Sequence, residues 1–201
     1  MPMKHSPTLH TWHSWGLALA LLAALALAVA PAVWAQTSPT PAPAAKAEDA
    51  SKLDRSDRKM LEELAQGNMA EVDAGKMALE KSQNAEVKKF AQQMVDDHTK
   101  ALGEVQALAT AKNVTLPDGA GAMAKTKATA LKALSGNLFD KEYAKRAGVG
   151  DHESTVKLLQ KIQKNAKDSD LKALAGKMLP TVEHHLDMAK SLAPSTSSAK
   201  S

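Results

Sequence analysis

The chain contains no cysteine, and aromatic residues make up only 3% of it. Without thiols it can form no disulfide, no zinc–thiolate site and no cysteine nucleophile. Few aromatics and no basic run leave little to stack on bases or follow a phosphate backbone, which argues against a nucleic-acid partner. There is no phosphate-cradling loop, no dinucleotide fingerprint and no nucleophile–base arrangement. Nothing in the chain gives positive support for an enzyme. β-Branched residues are also scarce, so strand signals are missing.

What is present begins with a leader. Lys4 supplies a positive charge, Leu17 to Ala30 contains only Leu, Ala and Val, and Pro31 and Val33-Trp34-Ala35 follow. This pattern predicts a signal peptide over residues 1–35, cleaved after Ala35. The alternative is an uncleaved inner-membrane anchor, because Trp15 to Ala35 is almost long enough to span a bilayer. Residues 36–53 are rich in Pro and Ala and poor in large apolar groups, which predicts a disordered linker. Residues 194–201 read as a disordered tail. Removing Lys4 with the leader leaves 25 basic against 22 acidic residues, a net charge of +3. These charges are interspersed, as on solvated helix faces. The expected location is therefore the periplasm, with no transmembrane segment in the mature chain and an envelope protein as the candidate partner.

Residues 54–193 make one domain by length. Ala, Leu, Lys, Glu, Gln and Met dominate, and apolar residues recur at spacings of three and four. A first helix is expected from about Ser56 to Ser82, with Leu61, Leu64, Val72, Gly75 and Leu79 inward and Glu71 beside that stripe. Asn84 caps a second helix, whose stripe runs Val87, Phe90, Ala91, Met94, His98, Leu102, Val105 and Leu108. Pro117, Asp118 and Gly119 lie in the loop that follows. Ala120 to Leu134 is a shorter connecting helix. Asn137 is the expected cap of one long helix to about Ala166, with Leu138, Val149, His152, Val156 and Leu159 on one face and Phe139 and Tyr143 adjacent. After the Asp168 cap, Leu171, Leu174, Met178, Val182, His185, Ala189 and Leu192 form a last stripe, interrupted at Pro180, where a kink is expected. That interruption leaves open whether His184 or His185 faces inward. The fold class expected is all-α, an antiparallel four-helix bundle with an extra short connecting helix.

Three histidines, His98, His152 and His185, therefore lie one per helix on apolar faces. With Glu71 they make a candidate metal site of three imidazoles and one carboxylate, suited to a transition metal such as zinc, copper or iron. Asp97 and Asp151, each next to a histidine in sequence, point about 100° away from it. They are placed instead to hold a histidine of a neighbouring helix as an outer layer. A carboxylate-bridged di-iron centre needs Glu-x-x-His on two helices. Val95, Val149, Thr181 and Val182 occupy the positions three before the histidines, so ferroxidase chemistry finds no support. The competing accounts are a polar core in which carboxylates satisfy the imidazoles, and a pH-responsive lock. Met60, Met69, Met77, Met94, Met123, Met178 and Met188 are spaced as core filler rather than as a copper(I) site.

Several separated motifs together resemble a known family. They are Glu71-Val72, Val87-Lys88-Lys89-Phe90-Ala91, Met94-Val95-Asp96-Asp97-His98, Phe139-Asp140-Lys141-Glu142-Tyr143, Asp151-His152-Glu153 and Leu179-Pro180-Thr181-Val182-Glu183-His184-His185-Leu186. In this order, over Asp54 to Leu192, they resemble the bacterial domain of unknown function 4142, exported proteins often labelled predicted outer-membrane proteins. The resemblance implies a ferritin-like helical bundle and no established activity. No run of alternating strands exists here to build an outer-membrane barrel. The function expected is a non-enzymatic periplasmic binding or stress-related module with a structural or pH-responsive histidine cluster. The alternative is a metal-binding bundle.

Overall fold

A computed structural model describes residues 52–198, with side chains through Ala193. The expected leader and most of the linker lie outside the described residues. Among the described residues the fold is all-α and contains no strand. Helix α1 is Arg55–Lys81, α2 Ala85–Ala111, α3 Gly121–Lys132 and α4 Gly136–Tyr143. A π-helical segment, Ala144–Asp151, leads directly into α5, His152–Asn165, and α6 is Ser169–Ser198. The last helix runs on past Pro194, the first residue of the expected tail. No helix among the described residues is long and apolar enough to cross a membrane.

The helix starts follow from local chemistry. Asp54 accepts from Asp57 N at 2.8 Å. Asn84 Oδ1 accepts from Glu86 N and Val87 N, and Asp168 Oδ1 from Asp170 N and Leu171 N. Each satisfies amide groups that the first turn cannot pair internally. Asp57, itself buried, reaches across the bundle, where its Oδ2 accepts from Lys167 N and Asp168 N at 2.8 Å each. It ties the start of α1 to the α5–α6 turn.

The fourth rod departs from expectation in two ways. It begins at Gly136, with φ +52°, one residue before the cap expected at Asn137. It is also not one uniform α-helix. At about 100° per residue Leu138 would share a face with His152, and Phe139 would fall about 140° away. The wider π turn winds less per residue. Across Ala144–Asp151 the deficit swings Phe139 and Tyr143 onto the side of His152. Leu138 is accordingly 56% exposed, whereas Phe139 and Tyr143 are fully buried. The strict α period had placed Leu138 inside.

Four rods, α1, α2, α4–π–α5 and α6, enclose two apolar clusters. One contains Leu61, Leu64, Val105, Leu159, Ile162 and Leu171. The other contains Phe90, Met94, Phe139, Tyr143, Ala147 and Ala189. Between them lies a belt of buried polar residues: Asn68 and Glu71 on α1, His98 on α2, His152 on α5 and His185 on α6. Helix α3 joins the two hairpins and packs on α1.

Close approach of α1 to α2 depends on Gly75. A Cβ there would stand 2.8 Å from Val95 Cγ2 and 3.0 Å from the carbonyl oxygen of Ala91, and the backbone oxygen cannot move aside. Gly75→Ala is expected to destabilise the fold by about 1–3 kcal/mol. Gly67→Ala, with nothing within 4 Å of the added methyl, is expected to stabilise it by about 0.5–1 kcal/mol. Urea midpoints of the two variants test the contrast, and equal midpoints would refute it.

Candidate metal centre

Helix periodicity brings the three imidazoles to one point. Their ring centroids form a near-equilateral triangle, with sides of 5.4, 5.3 and 5.5 Å. One ring nitrogen from each lies within 4.8 Å of the others. All three rings are buried. On α6 the inward residue is His185; His184 is exposed.

The outer partner of each ring decides its tautomer. Asn68 Nδ2 donates to Leu64 O at 2.8 Å, which turns its Oδ1 toward His98 Nδ1, 2.9 Å away. An amide oxygen only accepts, so Nδ1 of His98 carries the proton. His152 Nδ1 lies 3.0 Å from the carbonyl oxygen of Ala147, five residues earlier in the π segment, and is likewise the donor. His185 Nε2 lies 2.9 Å from Asp97 Oδ2 and donates to it. The other nitrogens, Nε2 of His98, Nε2 of His152 and Nδ1 of His185, are left as bare lone pairs. The two Nε2 atoms are 3.4 Å apart with no proton to place between them. His185 Nδ1 is buried without a hydrogen-bond partner.

Burial keeps the rings neutral. His98 falls to about 3, first by desolvation and then by repulsion from the other two rings. Desolvation lowers His152 to about 4 against the opposing bond to Ala147. His185 is also lowered by desolvation, although Asp97 opposes the shift. For Asp97, burial pushes the carboxyl up, but hydrogen bonds from Gln93 and His185 outweigh it, and the net direction is down. An ionised Asp97 holding His185 is the carboxylate–histidine arrangement common behind metal ligands.

The remaining expected residues are placed otherwise. Glu71 is buried but does not join the imidazole cluster. Its Oε1 stands 3.9 Å from His152 Nδ1, the nitrogen turned to Ala147 rather than to the other rings. Desolvation, with Asp151 nearby, raises its carboxyl well above the usual range. Asp97 holds His185 of a neighbouring helix. Asp151 does not, because its carboxylate pairs with Lys127 of α3. Asn68 was missing from the candidate set, although a polar residue on the apolar stripe between Leu64 and Val72 was the available signal. The Ala147 carbonyl left no sequence signal, because the π segment that presents it has none.

Residues 42–192 match the family described as a domain of unknown function, DUF4142, and the chain belongs to that family. No curated protein and no solved structure matches the chain.

The neutral rings set a pH dependence for the metal-free protein. Unfolded histidine titrates near 6.5, so between there and about 4 the unfolded chain binds protons that the folded one does not. That contribution to stability is complete above 6.5 and is lost as pH falls. Glu71 acts in the opposite sense. Its raised pKa contributes stability below the unfolded value of 4.5, and that contribution is lost as pH rises. Three groups outweigh one, so acidification from pH 7.5 to 5 is expected to lower thermal stability, by at most about 2 kcal/mol per histidine. Glu71→Gln should steepen the loss. A melting midpoint independent of pH over this range would contradict neutral buried rings.

Proposed function

We propose that this member of the DUF4142 family is an exported, non-enzymatic module that binds one divalent transition metal through His98, His152 and His185. The observation that carries the reading is the pair of facing Nε2 lone pairs at 3.4 Å. Two acceptors in contact inside a bundle repel, no protein donor reaches them, and a cation between them reverses the sign. A proton is one such cation, but rings lowered to about 3 and 4 hold none at neutral pH. A metal ion about 2.0–2.1 Å from each nitrogen would hold ligand atoms roughly 3.3–3.4 Å apart. The His98–His152 pair already has that spacing, and the cluster limit of 4.8 Å asks for an inward movement of His185 on the order of 1 Å.

The donor set narrows the ion. Three neutral nitrogens suit zinc or copper(II), and offer nothing to calcium or magnesium, which select oxygen. Glu71 lies outside the ligand set of this reading. The leader predicted by the sequence supports a periplasmic setting. The pH-responsive reading draws on the same rings, since protons and the ion compete for the same lone pairs, and acid would release the ion.

Protein purified without a polyhistidine tag is expected to take up zinc or copper(II) at one per chain by calorimetry, with a rise in melting temperature. His98→Ala, His152→Ala and His185→Ala should each abolish the uptake, and His184→Ala should leave it intact. Asn68→Ala keeps all three ligands, so a fold failure there is separable by circular dichroism. It should weaken affinity about 10–100-fold by freeing the His98 ring. Absence of stoichiometric binding by the folded parent protein would end this reading.

A further inference from the structure

Three imidazoles accept copper in either oxidation state, but the geometry and charge of this cluster fit one state better. The near-equilateral triangle of rings has its centre about 3.1 Å from every centroid. An ion about 2.0 Å from each nitrogen, with roughly 1.1 Å more to the ring centre, asks for that spacing when it lies in the plane of the centroids. An ion drawn out of that plane toward a fourth ligand would lengthen all three bonds. A tetragonal site, the preference of copper(II), has angles near 90° and 180° and would set three rings at unequal separations of roughly 4.4 and 6.2 Å. The bundle instead presents a three-fold arrangement, which the filled d shell of copper(I) accepts without penalty.

The surroundings supply no fourth donor. Among the described residues the other buried polar side chains are Asp57, Asn68, Glu71, Ser82 and Asp140. Asn68 and Glu71 stand behind the outer nitrogens of His98 and His152. Asp57 is spent on the α5–α6 turn, Ser82 lies in the turn after α1, and Asp140 is on α4, well before His152 in the chain. Tyr143 has a buried hydroxyl without a hydrogen-bond partner, but burial and the nearby Glu71 hold its proton on. Solvent does not reach His185 Nδ1, so no water approaches the cluster at that nitrogen.

Charge points the same way. The rings are neutral, and Asp97 is the ionised carboxylate hydrogen-bonded to one of them. Asp151 is paired with Lys127, and burial holds the Glu71 carboxyl toward its neutral form. One negative charge balances a monovalent ion and leaves a divalent ion uncompensated. The cost of burying an ion rises with the square of its charge, so the second positive charge is the expensive one. The apolar clusters on either side keep the local dielectric low, which is a main control on the potential of a bound metal.

Resting on the metal reading above, we propose that the cluster is selective for the cuprous ion, held three-coordinate by Nε2 of His98, Nε2 of His152 and Nδ1 of His185. Bound copper(II) takes one electron from a small reductant such as ascorbate, which is oxidised by one electron, and becomes copper(I) on the same three nitrogens.

The test measures the copper(II)/copper(I) potential of the copper-loaded protein, purified without a polyhistidine tag, by mediator titration, together with X-ray absorption of the reduced form. Copper(I) is expected to bind about a hundredfold tighter than copper(II), which places the potential about 120 mV above the free aqueous couple at 59 mV per tenfold. The reduced form is expected to show three nitrogens at about 2.0 Å and no fourth ligand. Glu71→Gln should leave the potential unchanged, because its carboxyl is not a ligand. Bound copper with a potential at or below the free couple overturns the proposal while leaving the metal reading standing. A fourth donor in the reduced form, or a potential that moves with Glu71→Gln, overturns the three-coordinate set. Zinc uptake without copper uptake overturns the proposal alone, and failure to bind either metal overturns both readings at once.

Discussion

Three unprotonated imidazole nitrogens face one another in a space from which water is largely excluded, and the rest of the site follows from that. Each ring is pinned from outside by a group that only accepts: the Asn68 amide oxygen, the Ala147 carbonyl or the Asp97 carboxylate. Pinning forces every ring proton outward and every lone pair inward. Had Asn68 been a donor to His98, its ring would have reversed, and one proton would have satisfied the pair with His152. The arrangement is therefore unlike an ordinary buried polar core, in which donors and acceptors alternate until each is paired. Here the outer hydrogen bonds are complete and the inner ones cannot be made by the protein alone.

The backbone reaches this geometry through one irregularity. On α1, α2 and α6 the α period alone carries the polar belt to the level between the two apolar clusters. On the fourth rod the α period would set Phe139 and His152 on different faces, and one of them would meet solvent. The π segment reconciles them. It lets the aromatic pair Phe139 and Tyr143 seal one cluster while His152 turns into the belt, and it leaves the Ala147 carbonyl within reach of the ring. The same segment approaches α6 closely at Gly148, where an added Cβ would lie 3.0 Å from that of Ala189. Rod and site are thus set by a single local change in winding, of the kind often found beside functional residues.

Much of this was legible in the chain. The helical class, the caps at Asn84 and Asp168, the stripes of α1, α2 and α6, and the inward placing of His98 and His152 all follow from spacing and cap chemistry. Between His184 and His185, spacing across Pro180 could not choose, and packing selected His185. The departures have separate causes. Leu138 escapes a uniform 3.6 period, since no residue in Ala144–Asp151 announces a wider turn, and the helix starts at Gly136, ahead of Asn137. Glu71 lies beside its stripe, and that position alone does not fix which imidazole nitrogen its carboxyl reaches. In the structure it stands behind His152, because a side chain on α1 reaches the outer nitrogen before the inner one. Asp151 lies too far around the rod from any histidine, and Lys127 of α3 takes it.

The position of the site also bears on how a bound ion would couple to stability. In a zinc finger the ion replaces a core, and the apo chain is unfolded. Here the belt is flanked by two apolar clusters that each draw on several rods, and burying such side chains is worth roughly 1.5–3 kcal/mol apiece. Those clusters, with the cross-bundle tie of Asp57, hold the rods together whether or not the imidazoles are bridged. Unbridged lone pairs then act as a local penalty inside an otherwise self-sufficient fold, one that an ion relieves and acid relieves only by charging rings that burial resists charging. The same preorganisation that makes the empty cluster unfavourable removes most of the rearrangement an ion would otherwise have to drive. A site of this construction adjusts the stability of the bundle without deciding its fold.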